Sequence, residues 1–264
     1  MASPNVLILR APGTQCDQET AFAFEKAGGT AHILHINRLL ESPSRFGQFQ
    51  ILCVPGGFSY GDDVAAGRIL ANQIQHHLAG HLAEFTAAEK LILGICNGFQ
   101  VLLKSGILLP PEAERGPAAT LTWNDSGRFE DRWVKLSVDS RASVLLAGIE
   151  SMYLPIAHAE GKFVPRDEAT CRQLAAAGQL PLRYRPLADG DDLPLDGPVP
   201  FPDNPNGSVA NTAGACDPTG RILGLMPHPE RHIDRTHHPR WTRGEGGPVG
   251  DGLKVFENAI AYFA

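Results

Sequence analysis

Apolar residues fall into short runs of strand length, separated by stretches with helical spacing. Residues 5–9, Asn-Val-Leu-Ile-Leu, are apolar enough for a strand buried on both faces, and Ala11-Pro12-Gly13 ends it. Over residues 17–27 the apolar positions Ala21, Phe22 and Phe24 take helical spacing, and Gly28-Gly29 makes a stop. Residues 31–36 and 49–54 read as the next strands, the latter closed by Pro55-Gly56-Gly57, and residues 73–85 read as a helix leading into a strand at 90–93. Strands alternating with helices predict right-handed crossovers and an α/β fold: an open, largely parallel sheet with helices on both faces. In such sheets, sites gather at the carboxyl ends of the strands.

Beyond Gly106 the texture changes. Residues 120–123, 133–138 and 152–158 read as strands with little helix between them, which antiparallel additions to the sheet in the C-terminal half would explain. A helix at 167–177 and a strand at 182–185 follow. Residues 208–211 and 221–226 flank Asp217-Pro218-Thr219-Gly220 as a hairpin, and 253–263 closes the chain as a helix. The stretch 187–205, rich in Asp, Pro and Gly, reads as an insertion or mobile loop, and 235–250 as a second loop. The pattern is that of one domain over 1–264.

Candidate chemistry centres on residues 90–103. An apolar strand runs into Gly94-Ile95-Cys96-Asn97-Gly98, and helical spacing begins immediately afterwards. Small residues on both sides let a strained strand-to-helix turn hold a nucleophile out of the sheet. The N–H of Asn97 then points where an oxyanion would form, and the helix start favours a thiolate. Taken alone, Cys96 fits a buried core cysteine equally well. The adjacent Gly56 and Gly57 in Pro55-Gly56-Gly57-Phe58-Ser59-Tyr60-Gly61-Asp62 permit close approach of a ligand, so a Gly57 N–H is a candidate second oxyanion donor, or else part of a plain tight turn. Prolines around His228 hold the chain extended and should set His228 and Glu230 on one side of the backbone, where a carboxylate orients an imidazole. An exposed, salt-linked histidine fits that spacing as well.

Composition narrows the class. With 264 residues and 43% apolar content the chain can build a substantial core, and a net charge of -6 gives no basic footprint for nucleic acid or an anionic membrane. Cys16, Cys53, Cys96, Cys171 and Cys216 are far apart, with no paired spacing for a disulfide framework or zinc. No run approaches membrane-spanning length or a secretory leader, so a cytoplasmic location is expected. His76, His77 and His81 read as a solvated helix face rather than a metal cluster, and no metal site is expected.

The glycine-flanked Cys96 turn with Gln100 after it resembles the nucleophile turn of class I (triad) glutamine amidotransferases, and His228-Pro229-Glu230 resembles its His-x-Glu partner. Within that family the blocks 55–62, 123–126 (Trp-Asn-Asp-Ser), 155–161 (Pro-Ile-Ala-His-Ala-Glu-Gly), 204–208 and 226–231 are similar to the glutaminase subunits of phosphoribosylformylglycinamidine synthase. The two long loops, Ala159 in place of Gly, and Asp63 where an aromatic is common depart from that pattern. The resemblance implies a flavodoxin-like fold with Cys96, His228 and Glu230 catalytic, Gly57 and Asn97 forming the oxyanion hole, and Gly56, Phe58 and Gln100 binding substrate. It also implies no cofactor on this chain, ATP and Mg used by a large synthetase subunit, and a small bridging subunit. Glutamine would be hydrolysed through a thioester and ammonia handed to the synthetase. The alternatives are a glutaminase serving a different synthetase, a hydrolase with a similar elbow, and a non-catalytic regulatory module of the same fold. His158 is left open between a role near ammonia or the partner and a structural one.

Overall fold

A continuous run of Val, Ile and Leu is buried on both faces, with its backbone satisfied, by the middle of a parallel sheet. The computed structural model describes residues 3–187 and 197–264. In its first half, β1 (Asn5–Arg10), β2 (Thr30–His35), β3 (Ile51–Val54) and β4 (Leu91–Ile95) alternate with α1 (Asp17–Lys26), α2 (Ile36–Glu41), α3 (Arg68–His77) and α4 (Ala79–Ala87). α5 (Asn97–Lys104) follows β4 directly. The second half contributes β5 (Ala119–Thr122), β6 (Glu130–Val138), β7 (Ser151–His158), β8 (Lys162–Pro165), α6 (Glu168–Ala176), β9 (Leu182–Arg185), β10 (Thr212–Cys216), β11 (Ile222–Leu225) and α7 (Leu253–Ala261).

Nine strands form one sheet in the order β2-β1-β3-β4-β11-β10-β9-β6-β7. Neighbours from β2 to β11 run parallel, and β10, β9, β6 and β7 extend the sheet antiparallel. The α/β architecture and the antiparallel half are as the sequence predicts. Every residue of β3 and β4 is buried, which is why both read as unbroken apolar runs. Phe24 of α1 meets Phe256 of α7 edge-on at 4.9 Å, so the first and last helices pack together.

Several elements differ from expectation. The helix expected at 73–85 is two helices broken at Leu78 (φ -121°, ψ 0°), and α3 begins earlier, behind Gly67 at φ 72°. β5 stops at Thr122 and pairs with β8 in a separate two-stranded sheet, not in the main one. The first hairpin arm begins at Thr212, because Val209–Asn211 is a 3-10 turn with Ala210 and Asn211 at positive φ. Most of the 187–205 loop, residues 188–196, lies outside the described residues, whereas Val199 and Gly197 are tied to the Asn211 side chain. Over 235–250 the chain makes two 3-10 turns, Arg235–His237 and Trp241–Arg243. Among the described residues no helix is long and apolar enough to cross a membrane.

Candidate active site

Parallel pairing brings the carboxyl ends of β1, β3, β4 and β11 to one edge, so the segments after them converge although they lie far apart in sequence. These segments carry Cys16, Gly56 and Gly57, Cys96, and His228. The glycines explain how closely they meet. A Cβ on Gly56 would stand 2.9 Å from Cε1 of His228, 3.1 Å from Sγ of Cys16 and 3.4 Å from Cβ of Cys96.

Cys96 sits between β4 and α5 at φ 52°, ψ -107°, a conformation that costs a non-glycine residue about 1–3 kcal/mol. The surrounding packing enforces it. The Cys96 N–H donates to the Leu225 carbonyl at 2.8 Å, which pins the turn to β11. Gly98 lies so near β3 that a Cβ would be 1.8 Å from the Val54 carbonyl oxygen, and one on Gly94 would meet Gly98 backbone at 2.8 Å. The helix-side ring of Phe99 fills the space where Gly224 of β11 lacks a side chain. Cys96 Sγ reaches the Ala157 carbonyl at 3.7 Å.

His228 and Glu230 are buried and joined by a 2.6 Å bond from Nδ1 to Oε1. The reason differs from the expected one: Pro229–Arg231 is a 3-10 turn, and it is this turn, not an extended chain, that brings the carboxylate to the ring. The His228 N–H donates to the Pro155 carbonyl, which fixes the segment against β7. Burial disfavours a charged imidazole, but the Glu230 carboxylate and the Cys96 sulfur outweigh it and hold the His228 pKa well above its ordinary value. With Nδ1 engaged, Nε2 is the nitrogen left for proton transfer, and it has no hydrogen-bond partner among the described residues.

Sequence reasoning missed Cys16. Its donor atom and those of His228 and Glu230 lie within 4.8 Å of one another, the one such group among the described residues that could hold a metal ion. His76, His77 and His81 belong to no such group. Arg231 Nη2 donates to Cys16 Sγ at 3.2 Å while its Nε donates to Glu19 at 2.9 Å, and burial pushes the Cys16 thiol up. The available signal was its position after the first strand, at the same sheet edge as Gly56.

A cavity of about 220 Å³ opens beside Cys96 and is lined by Gly57, Phe58, Gln100, Trp123 and His158 among others. Gly57 pairs with Thr14 through the bonds of its neighbours, Phe58 N–H to the Gly13 carbonyl and Gln15 N–H to the Gly56 carbonyl. Its own N–H therefore points away from Thr14. The Asn97 N–H belongs to the first turn of α5, where no intrahelical acceptor exists. Two backbone donors thus flank Cys96 on separate segments. Gln100 reaches the cavity with both ends of its amide engaged, Oε1 accepting from Asn97 at 2.9 Å and Nε2 donating to the Glu160 carbonyl at 2.5 Å. Phe58 is partly exposed at the mouth, 6.3 Å from the ring of Phe129.

A strained thiol, an imidazole held by a carboxylate and two free N–H groups form a set suited to acyl transfer. Comparison with known proteins agrees. Residues 3–263 match the model of the CobB/CobQ-like glutamine amidotransferase domain. The chain is 45% identical over 263 residues to phosphoribosylformylglycinamidine synthase subunit PurQ of Dehalococcoides mccartyi, covering 99% of this chain and 98% of that protein. It is 40% identical to the Methanococcus maripaludis protein of the same name, covering 98% and 97%. Among solved structures, PurLQS from Thermotoga maritima superposes with a TM-score of 0.73 at 28% identity, covering all of both chains. A glutamine amidotransferase from the same organism shares the fold with a TM-score of 0.55 at 15% identity, covering 100% and 98%.

Proposed function

The chain belongs to the glutamine amidotransferases, and within them to the PurQ subunits of phosphoribosylformylglycinamidine synthase; on that premise we propose that Cys96, His228 and Glu230 are its catalytic residues. It is the glutaminase subunit of that synthase in purine biosynthesis, supplying ammonia from L-glutamine for the conversion of formylglycinamide ribonucleotide to formylglycinamidine ribonucleotide. The observation that carries the residue assignment is the buried 2.6 Å His228–Glu230 pair at the same sheet edge as the strained Cys96 turn.

The steps follow from the geometry. Sγ of Cys96, its proton passed to Nε2 of His228, attacks the side-chain amide carbon of glutamine, and the N–H groups of Gly57 and Asn97 take the charge that develops on oxygen. His228 gives its Nε2 proton to the departing nitrogen, the C–N bond breaks, and a γ-glutamyl thioester remains. Nε2 then draws a proton from water, which attacks the thioester and releases glutamate and the thiol. Glu230 keeps the hydrogen on Nδ1 throughout. Gly56 leaves room between the thiol and the imidazole, Phe58 forms the cavity mouth, and Gln100 holds the wall against which glutamine lies.

The synthetase partner is a PurL-type subunit, with ATP and Mg consumed there, no cofactor on this chain and a small third subunit bridging the two. We read residues 1–264 as one amidotransferase domain acting in the cytoplasm. Cys96→Ala should abolish glutaminase activity with the synthetase present, and a glutamine-like electrophile should label wild-type Cys96. Partner-dependent ammonia release by Cys96→Ala would overturn the assignment.

A further inference from the structure

His158 ends β7 and lines the same cavity as Cys96. Asn124 decides which of its ring nitrogens carries hydrogen. Nδ2 of Asn124 donates to the carbonyls of Arg128 (2.9 Å) and His158 (2.8 Å), and Oδ1 accepts the Gly161 N–H at 3.0 Å. Turning the amide over would set N–H against N–H and carbonyl against carbonyl, so all three contacts fix its orientation. The atom facing Nδ1 of His158 at 3.2 Å is therefore an acceptor, and Nδ1 carries the hydrogen. Nε2 is left with a lone pair, buried and without a partner among the described residues. The ring lies against Gly161, where a Cβ would come within 2.1 Å of Cε1, so its plane is fixed from that side.

A buried acceptor with no protein partner calls for a donor from outside the fold, and one that lines a substrate cavity is placed to find it in the ligand. We propose that Nε2 of His158 accepts a hydrogen bond from the amide nitrogen of bound glutamine and keeps that bond to ammonia once the C–N bond has broken. This rests on the glutaminase reading above. In the step concerned, the sulfur–carbon bond of the thioester forms, the C–N bonding pair stays on nitrogen, and His228 supplies the proton that completes ammonia. His158 takes up no proton. Burial, and the positive charge on nearby His228, hold its pKa down to about 3, so it is an acceptor too weak as a base to compete with His228 or ammonia. Ammonia thus stays oriented beside the thioester.

Two substitutions separate this from a structural role. His158→Asn places an amide N–H where Nδ1–H was and keeps the bond to Asn124, but removes the acceptor at Nε2. His158→Gln places an amide oxygen near the Nε2 position. In the complex of the full chain with its synthetase subunit, glutamate released per amidated product should rise in His158→Asn. Its coupled kcat should fall on the order of fivefold, as loss of one hydrogen bond implies, and His158→Gln should restore both. An unchanged ratio in His158→Asn, or equal losses in the two variants, overturns the proposal. So does a hydrogen on Nε2 in the 15N spectrum of the wild-type full chain. Coupled turnover by wild type tests the glutaminase reading separately.

Discussion

Replacing His158 by Asn should also change how the protein responds to acid, by an amount the structure fixes. A histidine free in the unfolded chain titrates near 6.5, whereas His158 in the folded protein is held down to about 3 by burial and by the charge on His228. The folded pKa is depressed, so the contribution is fully present above 6.5 and is lost as pH falls from there toward 3, because the unfolded chain takes up a proton that the folded chain refuses. Between pH 7.5 and pH 5 the loss from this one group is about 2 kcal/mol. His228 has the opposite sign: its folded pKa is raised, so its contribution is intact below 6.5 and disappears only as pH rises through the folded value. His232, whose pKa burial lowers, also weakens the protein in acid but does so equally with or without His158. Urea unfolding at pH 7.5 and pH 5 should therefore show wild type losing about 2 kcal/mol more than His158→Asn over the interval. Whatever the variant costs at neutral pH cancels in that difference. Parallel losses would mean that the ring is not a buried neutral base, and the tautomer argument built on Asn124 would fall with it.

The other predictions concern the Cys96 turn and the partner of His228. Gly98→Ala puts a methyl group 1.8 Å from the Val54 carbonyl oxygen, so α5 must lift off β3; thermal melting should show about 1–3 kcal/mol of destabilisation, and thioester formation should fall by about 100-fold through displacement of Cys96. A wild-type melting temperature in that variant would contradict the packing described. Glu230→Gln keeps the shape but no longer dictates the hydrogen on Nδ1, and partner-coupled kcat should drop by up to about four orders of magnitude with KM for glutamine little changed. A drop confined to KM would place Glu230 in binding rather than in orientation.

Local signals made the Cys96 turn legible. Its strand length, its glycines and the switch to helical spacing are all written within a dozen residues, and they reflect one physical need, close passage of α5 over β3 and β11. The parallel half was legible for a similar reason, since strands buried on both faces leave unbroken apolar runs. What stayed hidden depends on contacts between distant segments. The position of Cys16 after β1 predicts the right sheet edge but not its closeness to Gly56 and His228, and His158 differs from a structural histidine only through Asn124, which sits 34 residues away. The His228–Glu230 pairing was foreseen for a reason that does not hold, because two prolines are compatible with an extended chain and with the 3-10 turn that forms. β5 was placed in the wrong sheet and β8 was not read as a strand at all, because an alternation of four residues carries no information about which sheet it joins.

Asn97 shows how far the site extends beyond its reacting atoms. Its N–H is one oxyanion donor in the proposed mechanism, and its side chain holds the loop that carries the other. Oδ1 accepts the Ser59 N–H at 3.2 Å, and Nδ2 donates to Asp62 Oδ1 at 3.1 Å and Gln100 Oε1 at 2.9 Å. Asp62 also accepts the Gly67 N–H at 3.1 Å, and although burial raises its pKa, these bonds oppose the shift. Further along, Ala66 is gripped from both sides: its N–H donates to Glu160 at 3.3 Å, and its carbonyl accepts from Lys104 of α5 at 2.6 Å. The segment from Gly57 to Gly67 is therefore stapled to α5 through Asn97 and Lys104 and, at its far end, to Glu160 just after β7, the strand that His158 ends. Polar groups this buried cost more when left unpaired than they gain when paired, so the loop, α5 and the end of β7 are favoured in one shared arrangement. That coupling makes the separation of the two proposed oxyanion donors a property of the fold rather than of the loop.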